Sequence, residues 1–198
     1  MANLSTPMKL NLLTIIFVPF LLSCKYTCDE FPESEVRWVP YVTDDILSFT
    51  NNIDTINLKV TEHYRNEASS SRGIWMDYEC FYEAKYETNK VQNYKIYERY
   101  GIGYNGGVEV HITDNDKFYF LLDERPTSRQ QPYHLYDSIK VTHLGNIIID
   151  NRNYSSTFLI EKDTIKISPT ISWLKKSENQ GVIQFYNRVN NQTWTKIN

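Results

Sequence analysis

The sequence predicts an all-β fold, either a single antiparallel β-sandwich or an up-and-down, lipocalin-like barrel. The chain contains 15 Tyr, nine Phe and four Trp but only seven Gly and seven Pro, a composition that favours strands. Apolar and polar residues alternate with a period of two, and no segment after residue 24 keeps a helical period over helical length. Short turns rich in Asn, Asp, Ser and Gly separate about a dozen such stretches, as in sandwiches and barrels.

Length and charge limit the classes of protein to which the chain can belong. Its 198 residues suffice for one domain with a hydrophobic core. Apolar residues make up 41% and charged residues 23%, which predicts a folded chain rather than a disordered one. The net charge of −3 includes no run of Lys and Arg, so we expect no nucleic-acid partner.

The N-terminus has the pattern of a secretory signal peptide. Lys9 precedes an apolar run from Leu12 to Leu22, and Met8 is an alternative start that would place this lysine at the beginning. The run is shorter than the roughly 20 apolar residues that a helix needs to cross a bilayer. The pattern therefore predicts a cleaved signal over residues 1–23.

The end of this signal, Leu21-Leu22-Ser23-Cys24, resembles the lipobox of bacterial lipoproteins. The resemblance implies that Cys24 carries a thioether-linked diacylglycerol and becomes the first mature residue. It implies a protein anchored in the outer membrane of a Gram-negative cell, on the periplasmic or the cell-surface side. Residues 24–37 are polar and include Pro32, which predicts a flexible tether, so that the β domain spans residues 38–198.

Within that domain, two stretches predict strands most clearly. Tyr, Cys and Ala alternate with Phe81 and charged residues between Asp77 and Glu87. Val108, Val110 and Ile112 alternate with polar residues before the turn sequence TDNDK, after which the alternation resumes, as expected of a hairpin. For residues 61–72 we expect a long loop or one short helix. Further predicted strands are DILSF, DTINLKV, SIKVTHL, NIIID, TFLIE, DTIKIS, GVIQFYNRV and TWTKI.

Four glycines raise the question of nucleotide binding, because Gly101, Gly103 and Gly106 have the spacing G-x-G-x-x-G and Gly107 follows. In a dinucleotide-binding fold the third glycine opens a helix that receives the pyrophosphate. Here it precedes a predicted strand, and the other motifs of a protein kinase are missing. We therefore expect a tight turn between two strands.

No sequence pattern identifies catalytic chemistry. His63, His111, His134 and His143 are scattered and lack zinc-site spacing. There is no nucleophile-elbow motif, and Asp114-Asn115-Asp116 lacks the glycine and glutamate of a calcium loop. We expect no catalytic residue, no metal site and no cofactor.

Two cysteines remain besides Cys24, and an extracytoplasmic compartment permits a disulfide between Cys28 and Cys80. The alternative is that Cys80 packs as a small apolar residue of a strand.

The triplet D-[ST]-I occurs three times, at Thr55, Ser138 and Thr164. It is consistent with a turn that opens a strand. It also resembles the O-glycosylation motif of secreted Bacteroidota proteins, and the resemblance implies that these three residues are candidate acceptors.

Both ends of the domain, WVPYVTDDILSF and GVIQFYNRVNNQTW, are similar to those of small, uncharacterised β-rich lipoproteins of Bacteroidota. That resemblance implies no functional residues. We expect a non-catalytic role in the cell envelope, either structural or in binding a glycan or a small apolar ligand through exposed aromatic residues. The alternatives are an accessory or inhibitor lipoprotein that binds an envelope protein through a sheet edge and, third, a hydrolytic enzyme.

Overall fold

The computed structural model describes residues 31–71, 79–102, 107–114, 116–120, 139–162 and 169–198. A short 3₁₀ helix, Glu33–Trp38, precedes the strands. The strands are β1 Ile46–Thr50, β2 Thr55–Ser71, β3 Glu79–Thr88, β4 Tyr97–Ile102, β5 Gly107–Thr113, β6 Asp116–Phe120, β7 Ile139–Ile149, β8 Arg152–Lys162, β9 Ile171–Ser177, β10 Gly181–Asn187 and β11 Gln192–Lys196.

All eleven strands belong to one sheet in the order β6-β5-β4-β3-β2-β1-β11-β10-β9-β8-β7. Every neighbouring pair is antiparallel, and the first and last strands pair with each other. The sheet curls into a nearly closed barrel. The all-β prediction is therefore confirmed, and of the two architectures expected from the sequence the structure has the barrel.

The barrel has a seam between β6 and β7. Because eleven strands alternate in direction, the two end strands run parallel, and within the described residues no ladder joins them. Two parallel neighbours need a long crossover connection, and residues 121–138 connect β6 to β7 in the sequence. Side chains close the seam instead. Asp116 accepts hydrogen bonds from Thr113 Oγ1 (2.9 Å), from the backbone N–H of Ile171 (3.1 Å) and from Lys162 Nζ (3.2 Å).

Side chains from the whole sheet fill the interior. The predicted alternation is confirmed on β5: Val108, Val110 and Ile112 are fully buried in the core, whereas Glu109, 8% exposed, and His111 lie on the opposite face and bond to each other. Trp194 and Phe185, from the C-terminal strands, pack against Tyr94 with ring centroids 5.2 and 5.5 Å away. Such close-packed apolar burial provides most of the driving force for folding.

Two local expectations were wrong. Residues 61–71 form the second half of β2 rather than a loop or a helix, because backbone pairing with β3 extends this polar stretch. SIKVTHL and NIIID, expected as separate strands, form the single strand β7. Gly145, at φ +68, lets β7 continue through an irregular step in its register with β8.

The segment before β1 packs on the barrel. Phe31, Trp38 and Val39 are buried, and the Phe31 ring meets Tyr82 of β3 edge to face at 6.3 Å. Glu35 accepts a 2.8 Å hydrogen bond from the hydroxyl of Tyr100. Residues 31–37, for which the sequence predicts a flexible tether, are thus attached to the barrel, because this polar stretch carries apolar anchors.

A fully buried ion pair links this segment to opposite sides of the barrel. Lys176 of β9 donates to Glu98 of β4 and, at 2.8 Å, to the carbonyl oxygen of Trp38. Glu98 also accepts from the Tyr86 hydroxyl (2.5 Å) and from the backbone N–H of Val182 (2.9 Å). Burial, followed by the charge of Glu98, raises the pKa of Tyr86 well above its usual value, so this hydroxyl remains a donor.

We expect Lys176→Met to lower the free energy of unfolding by about 3–5 kcal/mol, because it leaves the Glu98 carboxylate buried without its counter-charge. Adding Glu98→Gln in the same chain should restore part of that loss. Urea denaturation of the single and double variants measures both effects. A loss below about 1 kcal/mol for Lys176→Met would show that the pair is unimportant.

Two glycines with positive φ form a matched pair of test positions. A Cβ on Gly181 (φ +60) would lie 2.7 Å from the Tyr41 ring and 3.0 Å from Glu98, whereas one on Gly145 would meet nothing within 4 Å. We expect Gly145→Ala to cost about 1–2 kcal/mol for the left-handed backbone alone. Gly181→Ala should cost a further 1–3 kcal/mol, roughly, for overpacking. Equal losses in denaturation experiments would contradict this difference.

Candidate functional site

A groove of about 350 Å³ opens on the outer face of the sheet, where β3, β4 and β5 lie side by side. We name it the Tyr97 groove. Glu87 pairs with Tyr97 and Tyr97 pairs with His111 in the sheet register, so these three side chains form a row across three strands. The groove is lined by Glu87, Lys95, Tyr97, Glu109, His111, Thr113 and Asp114.

The connection between β3 and β4 supplies one side of the groove, and Tyr94 holds that connection in place. Its buried hydroxyl accepts hydrogen bonds from Asn187 Nδ2 (2.8 Å) and Trp194 Nε1 (3.0 Å). The next residue, Lys95, faces the groove and forms a 2.6 Å ion pair with Glu87. The core therefore fixes the position of a residue of the groove wall.

Glu109 is the centre of the charge network beneath the groove. Its carboxylate accepts from His111 Nε2 at 2.8 Å and from Lys117 Nζ at 2.7 Å, and Arg99 lies 3.6 Å away. The hydrogen bond from His111, opposed by burial and supported by Lys117, lowers the pKa of Glu109 to about 2. This group is therefore a permanent anion at neutral pH.

Tyr97 provides the largest ring in the groove. Its ring and that of His111 lie with centroids 5.1 Å apart, tilted by 56°. Burial, with a smaller contribution from Glu109, raises the pKa of Tyr97 to about 12. The phenol therefore stays protonated and can donate a hydrogen bond to a ligand.

The ionisable groups of the groove are paired with one another. Glu109 and His111 resemble the carboxylate–imidazole pairs of general-base sites. This carboxylate is bonded to two donors within the protein, His111 and Lys117. Among the described residues no three His, Cys, Asp or Glu side chains are grouped to hold a metal ion.

The residues that line the groove include none of the lipidation, disulfide or glycosylation positions predicted from the sequence. Thr55, a candidate glycosylation acceptor, is exposed at the first position of β2. The backbone of Cys80 lies in β3 opposite Ser70. The other candidate positions fall outside the residues that the structure describes: Cys24, Cys28, Ser138 and Thr164.

The tyrosines between residues 86 and 97 divide between the core and the surface. Tyr86 and Tyr94 are buried, whereas Tyr97 faces the groove. Sequence reasoning did not single out Glu87, Lys95 or Glu109. In the sequence, Glu87 and Glu109 occupy the polar positions of strands with alternating residues. That pattern predicts that they face outward, but it does not predict which residues of neighbouring strands they meet.

Strands flank the glycine-rich stretch on both sides. Gly101 of β4 pairs with Gly107 of β5, and the residues expected to form the turn, 103–106, lie outside the described part of the chain.

Comparison of the chain with family models, with curated proteins and with solved structures finds no significant match. Within the described residues, none of the helices has the length and apolar character to cross a membrane.

We expect Glu109→Gln to lower the free energy of unfolding at pH 7 by about 1–2 kcal/mol, since these ion pairs are partly screened by water. A lowered pKa means that the stabilisation is complete above the usual value of 4.5 and disappears as pH falls through about 2. The difference between the variant and the wild type should therefore shrink from pH 5 downward.

Glu62→Gln is the control for this experiment. Glu62 is an exposed carboxylate of the same outer face, and Lys85 is 3.7 Å away. Its substitution should leave stability within about 0.5 kcal/mol at every pH. Urea denaturation between pH 3 and pH 7 measures both variants, and a pH-independent difference for Glu109→Gln would contradict the assignment.

Proposed function

We propose that this chain is a lipid-anchored cell-envelope protein that binds a small polar ligand or a glycan in the Tyr97 groove without catalysing a reaction. One observation carries the binding part of the proposal. The groove combines two aromatic rings with carboxylates and ammonium groups whose positions the core and neighbouring ion pairs already fix. A site held in place before a ligand arrives loses little conformational entropy on binding.

The filled interior also favours the outer face as the binding surface. Lipocalin-like barrels enclose a ligand among inward-facing side chains. Here that space is occupied by large buried groups, including Phe49, Phe118 and Trp194. A small apolar ligand inside the barrel, one of the ligands expected from the sequence, is correspondingly disfavoured.

The place of N-terminal attachment is consistent with an accessible groove on an anchored protein. Phe31 contacts Tyr82, whereas Glu87, five positions further along β3, lines the groove. At about 3.3 Å per residue these positions are about 17 Å apart. Phe31 is the seventh residue after Cys24. A lipid on Cys24 would therefore hold the Tyr82 end of β3 nearer the bilayer than the Glu87 end, which lines the groove.

A protein partner is the second candidate, and β7 is the feature that favours it. This strand pairs only with β8 among the described residues and exposes Val141, Leu144 and Ile148, the last at 70%. Unpaired strand edges can accept an added strand. Crosslinks from β7 to another envelope protein in intact cells would favour this candidate over the groove.

The anchoring part is tested by the intact mass of the protein released from its native membrane in mild detergent. A mass that corresponds to residues 24–198 plus acyl chains is expected. Additional hexose-sized increments would support glycosylation at the D-[ST]-I sites. A mass that begins at another residue and includes no lipid would overturn the anchor.

The binding part is tested by thermal unfolding in the presence of fractionated envelope extract. We expect one or more fractions to raise the melting temperature of the wild type and of Tyr64→Ala, but not of Tyr97→Ala. Tyr64 is the matched control because it is a 42% exposed tyrosine that lies on β2, outside the groove. Equal stabilisation of all three proteins, or of none, would contradict binding in the groove.

A further inference from the structure

The charges that face the Tyr97 groove are already neutralised within the protein. Glu87 is paired with Lys95 at 2.6 Å, and Asp114 is paired with Lys90. Glu109 is bonded to its own basic neighbours in the wall. A charged ligand would have to compete with one of these pairs, whereas an uncharged ligand would leave all of them intact.

Each ion pair still offers hydrogen-bonding capacity to a ligand. A carboxylate has about four lone-pair positions and an ammonium group has three N–H donors, so one contact between Glu87 and Lys95 leaves acceptors and donors side by side. Their side chains are about one-third exposed, at 34% and 32%. A hydroxyl group, which donates and accepts at once, fits such a mixed surface better than a group that only donates or only accepts.

The row of rings adds an apolar surface beside these polar groups. Tyr97 and His111 are cross-strand neighbours with centroids 5.1 Å apart. The tyrosine hydroxyl has no hydrogen-bond partner among the described residues. The groove therefore presents an aromatic face, a free phenol donor and mixed polar groups within about 350 Å³.

We infer that the ligand of the Tyr97 groove is an uncharged sugar of one or two rings, an inference that rests on the proposed function and specifies its ligand. The apolar C–H face of a pyranose lies against the Tyr97 ring. Its hydroxyl groups bridge the carboxylate and the ammonium of the Glu87–Lys95 pair. The volume is near the lower limit of ligand sites, about 300 Å³, which matches a ligand of this size.

Other ligand classes fit the groove less well. An anion would face the carboxylates of Glu87, Glu109 and Asp114, and a cation would compete with the ammonium groups that already hold them. A fully apolar ligand would bury these charged groups without replacing their bonds to water, which costs free energy. An uncharged, hydroxyl-rich ring avoids all three penalties.

The test is binding of the purified full chain to an array of neutral, acidic and amino sugars, followed by titration with the best-bound sugar. We expect binding to neutral sugars alone. The affinity of Tyr97→Ala should fall by about tenfold or more, because the ring platform is lost. Tyr64→Ala should stay within about twofold of the wild type. Since no net charge is transferred, raising NaCl from about 0.05 to 0.5 M should change the affinity less than about twofold.

Several outcomes would overturn the inference: preferential binding of acidic or amino sugars, a strong salt dependence, neutral-sugar binding that survives Tyr97→Ala, or binding of no sugar on the array. These results are separable from failure of the proposed function. An extract fraction that stabilises the wild type but not Tyr97→Ala, with no neutral sugar bound, would keep the groove as a binding site and reject the sugar. Equal behaviour of both proteins in the extract experiment would reject the groove itself.

Discussion

The buried ion pair between Glu98 and Lys176 is the contact on which the arrangement of the molecule depends. It joins β4 to β9 through the interior and, through the Trp38 carbonyl, fixes the segment that precedes β1. Neither charge is exposed to solvent. Removing two charges from water is costly, so the pair is acceptable only because Tyr86, Val182 and Trp38 satisfy the remaining hydrogen-bonding capacity. These partners come together only when β4, β9, β10 and the N-terminal segment take the positions that they have in this structure.

The strand that supplies the buried glutamate, β4, also supplies Tyr97 of the groove. Tyr97, Glu98 and Arg99 are consecutive residues of β4, and alternation sends Glu98 inward and its neighbours outward. A shift of β4 by one residue would exchange these roles, exposing the buried carboxylate and burying the guanidinium. The internal ion pair and the outer network around Glu109 therefore specify the same register from opposite faces of the sheet.

The seam shows a second constraint, which arises from strand number. An even-numbered meander closes with an antiparallel pair, whereas eleven strands bring two parallel edges together. The barrel is completed at this point by the side chain of Asp116, which holds Lys162 and the start of β9. Closure by a few side-chain contacts leaves β7 with exposed apolar residues, which is why a protein partner stays the second candidate for function.

The sequence by itself determined the all-β class, most strand positions and the faces of β3 and β5, because alternation with a period of two depends only on neighbouring residues. It did not reveal the second half of β2, where polar residues are extended by pairing with β3. The sequence also did not predict the groove, because Glu87, Tyr97 and His111 come from three strands and become neighbours only through the register of the sheet. The local sequence pattern predicts which face of the sheet a residue occupies. Only the tertiary structure decides which residues are neighbours on that face, because contacts between strands depend on the register of the strands and on the closure of the barrel.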